Sequence, residues 1–207
     1  MIVIEDLSLT IGKKNILSHI NCTFEEGNIY GLVGLNGSGK TMLMKCILGF
    51  IKPTEGTVVI DGLEIGKICE FPDQVGFLIE IPGFIQTYSG YKNLKYLAAL
   101  KGNISDEELL YCMEVAGIKY AAKKKVGKYS LGMKQRLGIA QAMMGKPQIY
   151  ILDEPMNALD KNGIVKVREY LIAEKERGKI IILASHNHED IELLCDVVYE
   201  MDEGCLV

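Results

Sequence analysis

Asn28-Ile29-Tyr30-Gly31-Leu32-Val33-Gly34-Leu35-Asn36-Gly37-Ser38-Gly39-Lys40-Thr41 passes from a short apolar run into a glycine-rich loop ending on lysine and threonine. Its second half matches the pattern G-x-x-x-x-G-K-[ST]. Glycines let such a backbone curl until successive N–H groups face inward, where they meet phosphate oxygens. A helix starting at the end of the loop adds the positive charge of its N-terminus. Gly34, Leu35, Asn36, Gly37, Ser38 and Gly39 are therefore candidate nucleotide contacts. Lys40 is the residue to reach the β- and γ-phosphates, and Thr41 supplies a hydroxyl to Mg²⁺. The flanks fit: residues 28–33 read as a buried strand. Leu43, Ile47 and Phe50 recur at helical spacing over 42–50, which stops near Gly49 and Pro53.

Upstream, Ile2, Ile4, Leu7, Leu9 and Ile11 recur near every second residue, as in a half-buried strand. Gly12-Lys13-Lys14-Asn15 reads as a turn and 16–24 as the returning strand. Downstream, 57–60 and 75–79 read as strands, the first closed by Asp61-Gly62. Ser105-Asp106-Glu107-Glu108 has the form of a capping box, opening a helix to about Gly117. Helical signals continue past Ser130. The end alternates again: strand 148–152, helix 161–177 stopped by Gly178, strand 180–184, a short helix near Asp190, and strand 197–201. Strands alternating with helices predict an α/β fold with parallel strands. There are no internal repeats and no low-complexity segments.

Composition narrows the function. The chain has 207 residues, 48% hydrophobic and 24% charged, with a net charge of −4. That suits one globular domain with a core of its own. A nucleic-acid partner is not expected, because the one dense basic run, Lys123-Lys124-Lys125, reads as a solvated surface. Cys22, Cys46, Cys69, Cys112, Cys195 and Cys205 form no Cys-x-x-Cys pair and read as reduced thiols. The start carries no signal peptide, and no window is apolar enough to span a membrane. Work at a membrane then requires a partner.

A second cluster of chemistry lies at Ile149-Tyr150-Ile151-Leu152-Asp153-Glu154, an apolar strand ending in two acids. Acids at the end of a buried strand are costly unless they have work there. Beside a triphosphate, Asp153 would hold Mg²⁺ and Glu154 would accept the proton of an attacking water.

Tyr129-Ser130-Leu131-Gly132-Met133-Lys134-Gln135-Arg136-Leu137 resembles the signature sequence of ABC transporter ATPases, usually Leu-Ser-Gly-Gly-Gln. Asn157-Ala158-Leu159-Asp160 resembles their D-loop. Ser185-His186, following an apolar strand, resembles their switch histidine, with His188 close by. These motifs stand in the family's order along nearly the whole chain. The resemblance implies a P-loop NTPase core with a parallel sheet, an N-terminal antiparallel β subdomain and an inserted helical subdomain, approximately 83–136, within one cassette, 1–207. It implies ATP and Mg²⁺ as ligands and a head-to-tail pair of cassettes, from one chain or two different ones. In that pair, Ser130 and Gly132 act on the partner's γ-phosphate, while His186 holds the γ-phosphate in its own chain. It further implies transmembrane permease subunits, which keep the chain at the cytoplasmic face of the membrane.

Three departures stand out. Leu131 and Met133 replace the first glycine and the glutamine of the signature. Glu80 stands where the Q-loop glutamine closes the 75–79 strand, with Gln74 and Gln86 as alternatives for that role. Ile11 stands where an aromatic usually stacks on adenine, giving apolar contact without π-stacking. The signature together with Glu80 resembles the branch that protects cells from bacitracin-like peptides and lantibiotics. The implied function is ATP hydrolysis that drives export of antimicrobial peptides or other amphipathic cargo. The alternative is a soluble ABC ATPase acting on ribosomes or nucleic acid. Such proteins usually carry two cassettes or a long coiled-coil insertion.

Overall fold

The computed structural model describes residues 1–207 apart from Asp73, Ile81, Pro82, Asn103 and Ala158. It divides into two units, 1–73 with 175–207, and 74–174. The first unit opens with β1 (Ile2–Ile11), β2 (Lys14–Phe24), β3 (Ile29–Val33), α1 (Lys40–Ile47), β4 (Glu55–Ile60) and β5 (Leu63–Glu64). The second holds β6 (Val75–Leu78), α2 (Gly90–Lys101), α3 (Asp106–Val115), α4 (Leu131–Met143), β7 (Ile149–Asp153) and α5 (Lys161–Glu176), which runs across the boundary. The first unit then closes with β8 (Ile180–Ala184), α6 (His188–Leu194), β9 (Val197–Asp202) and β10 (Cys205–Leu206).

The alternation read at the start of the chain becomes an antiparallel sheet in the order β2-β1-β4-β5. Its hairpin turns at Gly12, with Ile11 facing Lys14. The register shifts twice between Ile4 and Leu9, which is why Leu7, Ser8 and Leu9 are all buried instead of alternating. β3 has a parallel partner on each side, Ile29 to Leu32 against Ile181 to Ala184 of β8 and Tyr30 to Val33 against Val197 to Glu200 of β9. Both faces of β3 are covered, so its sequence is continuously apolar.

In the second unit, β6 and β7 pair in parallel, Val75 with Ile149 through Leu78 with Leu152. The α4 helix packs on β6. Gly76 permits this approach, because a side chain there would meet the carbonyl of Ala142. Serine caps recur in this unit: Ser89 accepts from Lys92 N–H, Ser105 from Glu108 N–H and Ser130 from Met133 N–H.

The elements depart from expectation at particular points. α1 begins at Lys40, earlier than the hydrophobic spacing indicates, because the loop itself ends at Gly39 (φ 110). Only half of the expected capping box forms. The Glu108 carboxylate turns to Gly145 N–H at 2.8 Å, a tertiary partner, instead of returning to its own helix end. All six cysteines are free thiols, and Cys22, Cys46 and Cys112 are buried. Burial pushes those three up to about 12. Among the described residues, no helix is long and apolar enough to cross a membrane.

Candidate nucleotide site

The glycine-rich loop joins β3 to α1 within the first unit. Gly34 (φ 142) lies against the Met201 carbonyl, where a side chain could not fit. The loop is pinned at its turn by Ser38 N–H on Leu35 O, 3.1 Å, and by Gly204 N–H on Ser38 O, 3.0 Å. Leu35, Asn36 and Gly37 are exposed, while Ser38, Gly39 and Lys40 are buried. Lys40 is 6% exposed, and its ammonium donates to Gly34 O at 2.7 Å and Leu35 O at 3.0 Å. The Ser38 hydroxyl is buried with no hydrogen-bond partner among the described residues. A buried lysine and a buried hydroxyl in a glycine-rich loop that ends at the start of a helix fit an anionic ligand. Thr41 lies half-buried in the first turn of α1.

His186 belongs to the same unit. β8 delivers it past Ser185, and its Nε2 lies 2.7 Å from Asn36 Oδ1 of the loop. His188 instead begins α6, and its Nδ1 lies 3.2 Å from Glu192. The distinction between the two histidines is therefore geometric: one meets the loop and the other a helix surface. Ile11, at the end of β1, is 50% exposed, an accessible apolar side chain.

The remaining residues belong to the second unit. Asp153 ends β7, and Glu154 follows it in a left-handed conformation, φ 50. The Glu154 carbonyl accepts from Asn157 N–H at 3.2 Å and from the Gln135 amide at 3.0 Å. Glu80 lies just past β6, at the end of the β6–β7 pair where Asp153 ends its own strand. Gln74 lies at the opposite end, its carbonyl taking Gln148 N–H at 2.8 Å. Gln86 bonds Phe84 O at 3.1 Å through its amide.

Ser130 caps α4 and is exposed, with Leu131 (59% exposed) and Gly132 on the first turn. Asp160 takes Gly163 N–H at 2.7 Å, capping α5, and sits 3.1 Å from Arg136 Nη2 of α4. The Gly163 N–H and then the Arg136 guanidinium hold the Asp160 carboxyl below its ordinary 3.8. Ala158, in the same D-loop-like stretch, lies outside the described residues. Gln135 and Arg136 are functional candidates that motif reading passes over. Both bond backbone or side chains from distant parts of the sequence, which no local pattern announces.

A cavity of about 460 Å³ opens in the second unit, lined by Phe77, Ile79, Phe84, Asn93, Tyr96 and Gln141 among others. Ile79 and Gly83, both on its wall, bracket Glu80 in the sequence.

Comparison with known proteins identifies the family. The family model described as "ABC transporter" matches residues 17–157. An uncharacterized ABC transporter ATP-binding protein, YybJ of Bacillus subtilis, is 46% identical over 100% of this chain and 94% of its own length. The bacitracin transport ATP-binding protein BcrA of Enterococcus faecalis is 42% identical over 98% of this chain and 67% of its own length. The lantibiotic transport ATP-binding protein SrtF of Streptococcus pyogenes is 34% identical over 100% of this chain and 89% of its own. Among solved structures, the dimeric post-hydrolysis state of the ATP-binding cassette MJ0796 bound to ADP and Pi superposes with a TM-score of 0.89. It is 23% identical, covering 100% of this chain and 96% of that one. The chain belongs to the ABC transporter family, as one of its ATP-hydrolysing cassettes.

Proposed function

We propose that this cassette powers an exporter of antimicrobial peptides or other amphipathic cargo, working as one of a pair of cassettes on transmembrane permease subunits. The observation that carries the nucleotide site is the loop itself, with a buried Lys40 and a buried Ser38 hydroxyl that has no hydrogen-bond partner among the described residues. The donor set also suits Mg²⁺, which takes oxygen ligands and leaves most of its shell to phosphates and water. Thr41 and Asp153 would hold the ion, with Glu80 adding a carboxylate beside it. When bound, it neutralises charge on the phosphates.

The reaction is in-line attack of water on the γ-phosphorus: the new P–O bond forms as the bond to ADP breaks. Glu154 takes the proton of the water. His186, already at the loop through Asn36, orients the γ-phosphate and the water. Lys40 exchanges its carbonyl partners for phosphate oxygens. Ile11 offers adenine an apolar contact. Ser130, exposed at the start of α4, and the half-buried Gly132 would meet the nucleotide of a second cassette, with Asp160 on the same side of the reaction. Closure on ATP and opening after hydrolysis would be the work. The lobe at about 83–136 would pass it on, with the cavity walled by Ile79, Gly83 and Phe84 as the seat for a cytoplasmic segment of the permease. Attachment there places the chain at the cytoplasmic face of the membrane, with no nucleic-acid partner. The peptide cargo is supported by the likeness to BcrA and SrtF.

Glu154→Gln is the direct test. It should bind ATP, elute as a dimer with ATP, and lose at least ~10²-fold in turnover, the usual contribution of a general base. Undiminished hydrolysis would remove Glu154 from the role. For the cargo, expression of the transporter genes in a sensitive host should raise tolerance to bacitracin or a lantibiotic. Unchanged tolerance to both classes would sink that reading.

A further inference from the structure

Gln135 is a buried polar side chain, 8% exposed, on the second turn of α4, the helix that Ser130 caps. Its amide nitrogen donates to the carbonyl of Glu154 at 3.0 Å. A carbonyl can only accept, so this contact requires the NH₂ end of the amide. Glu154 needs such support. A non-glycine residue at φ 50 is held in a sparsely populated conformation that the surroundings must enforce. Asn157 N–H supplies one restraint, from the local turn. Gln135 supplies a further one, from a separate helix.

We infer that Gln135 is a positioning residue for Glu154, tying the direction of that carboxylate to the place of the signature helix in the same chain. The inference rests on Glu154 acting as the base. Ser130 and Gly132 sit at the tip of the helix that carries Gln135. A nucleotide engaged at that tip moves α4, and α4 holds the carbonyl of the base. Engagement at one nucleotide site thereby sets the base that serves the other. The link is a single hydrogen bond that leaves the γ-phosphate contacts untouched, so it acts on turnover and not on ATP affinity.

The test uses the full chain in steady-state hydrolysis of radiolabelled ATP, with ATP varied in excess over protein. Gln135→Met keeps the shape and removes the donor. Gln135→Glu keeps size and polarity and cannot donate when ionised. Both should lower kcat by about 10-fold, as expected for a small misplacement of a reacting group. KM for ATP and ATP-dependent dimerisation should hold within about 2-fold. In the Glu154→Gln background the residual rate should not fall further. If both Gln135 variants keep the wild-type kcat while Glu154→Gln is inactive, the positioning role is wrong and the base assignment stands. A rise in KM matching the fall in kcat, or full additivity with Glu154→Gln, likewise overturns it. Wild-type turnover in Glu154→Gln overturns the base assignment and this inference together.

Discussion

Removing the Ser38 hydroxyl should stabilise the nucleotide-free protein while weakening its grip on ATP. The side chain is 5% exposed, and its oxygen has no hydrogen-bond partner among the described residues. The Ser38 backbone is already fixed by Leu35 and Gly204, so Ser38→Ala changes the hydroxyl and little else. An unsatisfied buried polar group costs about 1–3 kcal/mol. The low end applies here, because the neighbouring Leu35, Asn36 and Gly37 are exposed and water is close. A gain of ~1 kcal/mol raises Tm by about 2–4 °C in a chain of this size. With ATP present the sign reverses. A hydrogen bond to a charged oxygen contributes about 1.5–3 kcal/mol, so ATP affinity falls by about 10- to 100-fold. Differential scanning fluorimetry without nucleotide measures the first effect. Calorimetric titration of ATP in the Glu154→Gln background, where the ligand survives, measures the second. A Ser38→Ala protein that melts lower than its parent without nucleotide, or binds ATP equally well, would refute the assignment of that hydroxyl to phosphate.

Glu80→Gln should alter permease-stimulated hydrolysis more than ATP affinity, since Glu80 is bracketed in sequence by residues lining the cavity; equal stimulation in both proteins would count against it. Asp160 has a folded pKa below its ordinary 3.8, so its contribution is present above 3.8 and is lost as pH falls through the lowered value. The Tm gap between wild type and Asp160→Asn should therefore be open at neutral pH and close in acid, and a gap that widens in acid would reverse the sign of the argument. Tyr150→Phe removes a buried hydroxyl 2.8 Å from the Tyr170 hydroxyl and 3.2 Å from buried Glu174. It should cost about 1–3 kcal/mol, read as a lower urea midpoint, and an unmoved midpoint would show that the cluster contributes nothing.

The strand–loop–helix around Lys40 was legible because its pattern is local: an apolar run, glycines at fixed offsets, then helical spacing. The same holds for β7 with Asp153, and for the order of motifs that identifies the family. α2 was not legible as an element. It begins on a glycine, and its exposed Tyr96 and Leu100 blur the apolar face that Leu94 and Ala98 bury. β5 and β10, two residues each, are too short to carry a period. Glu108 misled the capping reading because its carboxylate found Gly145. Gln135 and Arg136 stand inside the signature-like stretch, where no local pattern gives them a role of their own. Their meaning comes from Glu154 and from Ala116 and Asp160, which only folding brings within reach.

Lys40 gives the loop a way to let go. Its ammonium rests on the carbonyls of Gly34 and Leu35, neutral acceptors built into the loop itself. When products depart, the cation returns to those oxygens and is never stranded in a buried place. Release thus leaves the buried ammonium with hydrogen-bond acceptors inside its own loop. A cradle that held its lysine only through the triphosphate would bind tightly and recycle slowly. This one is arranged to be filled and vacated repeatedly.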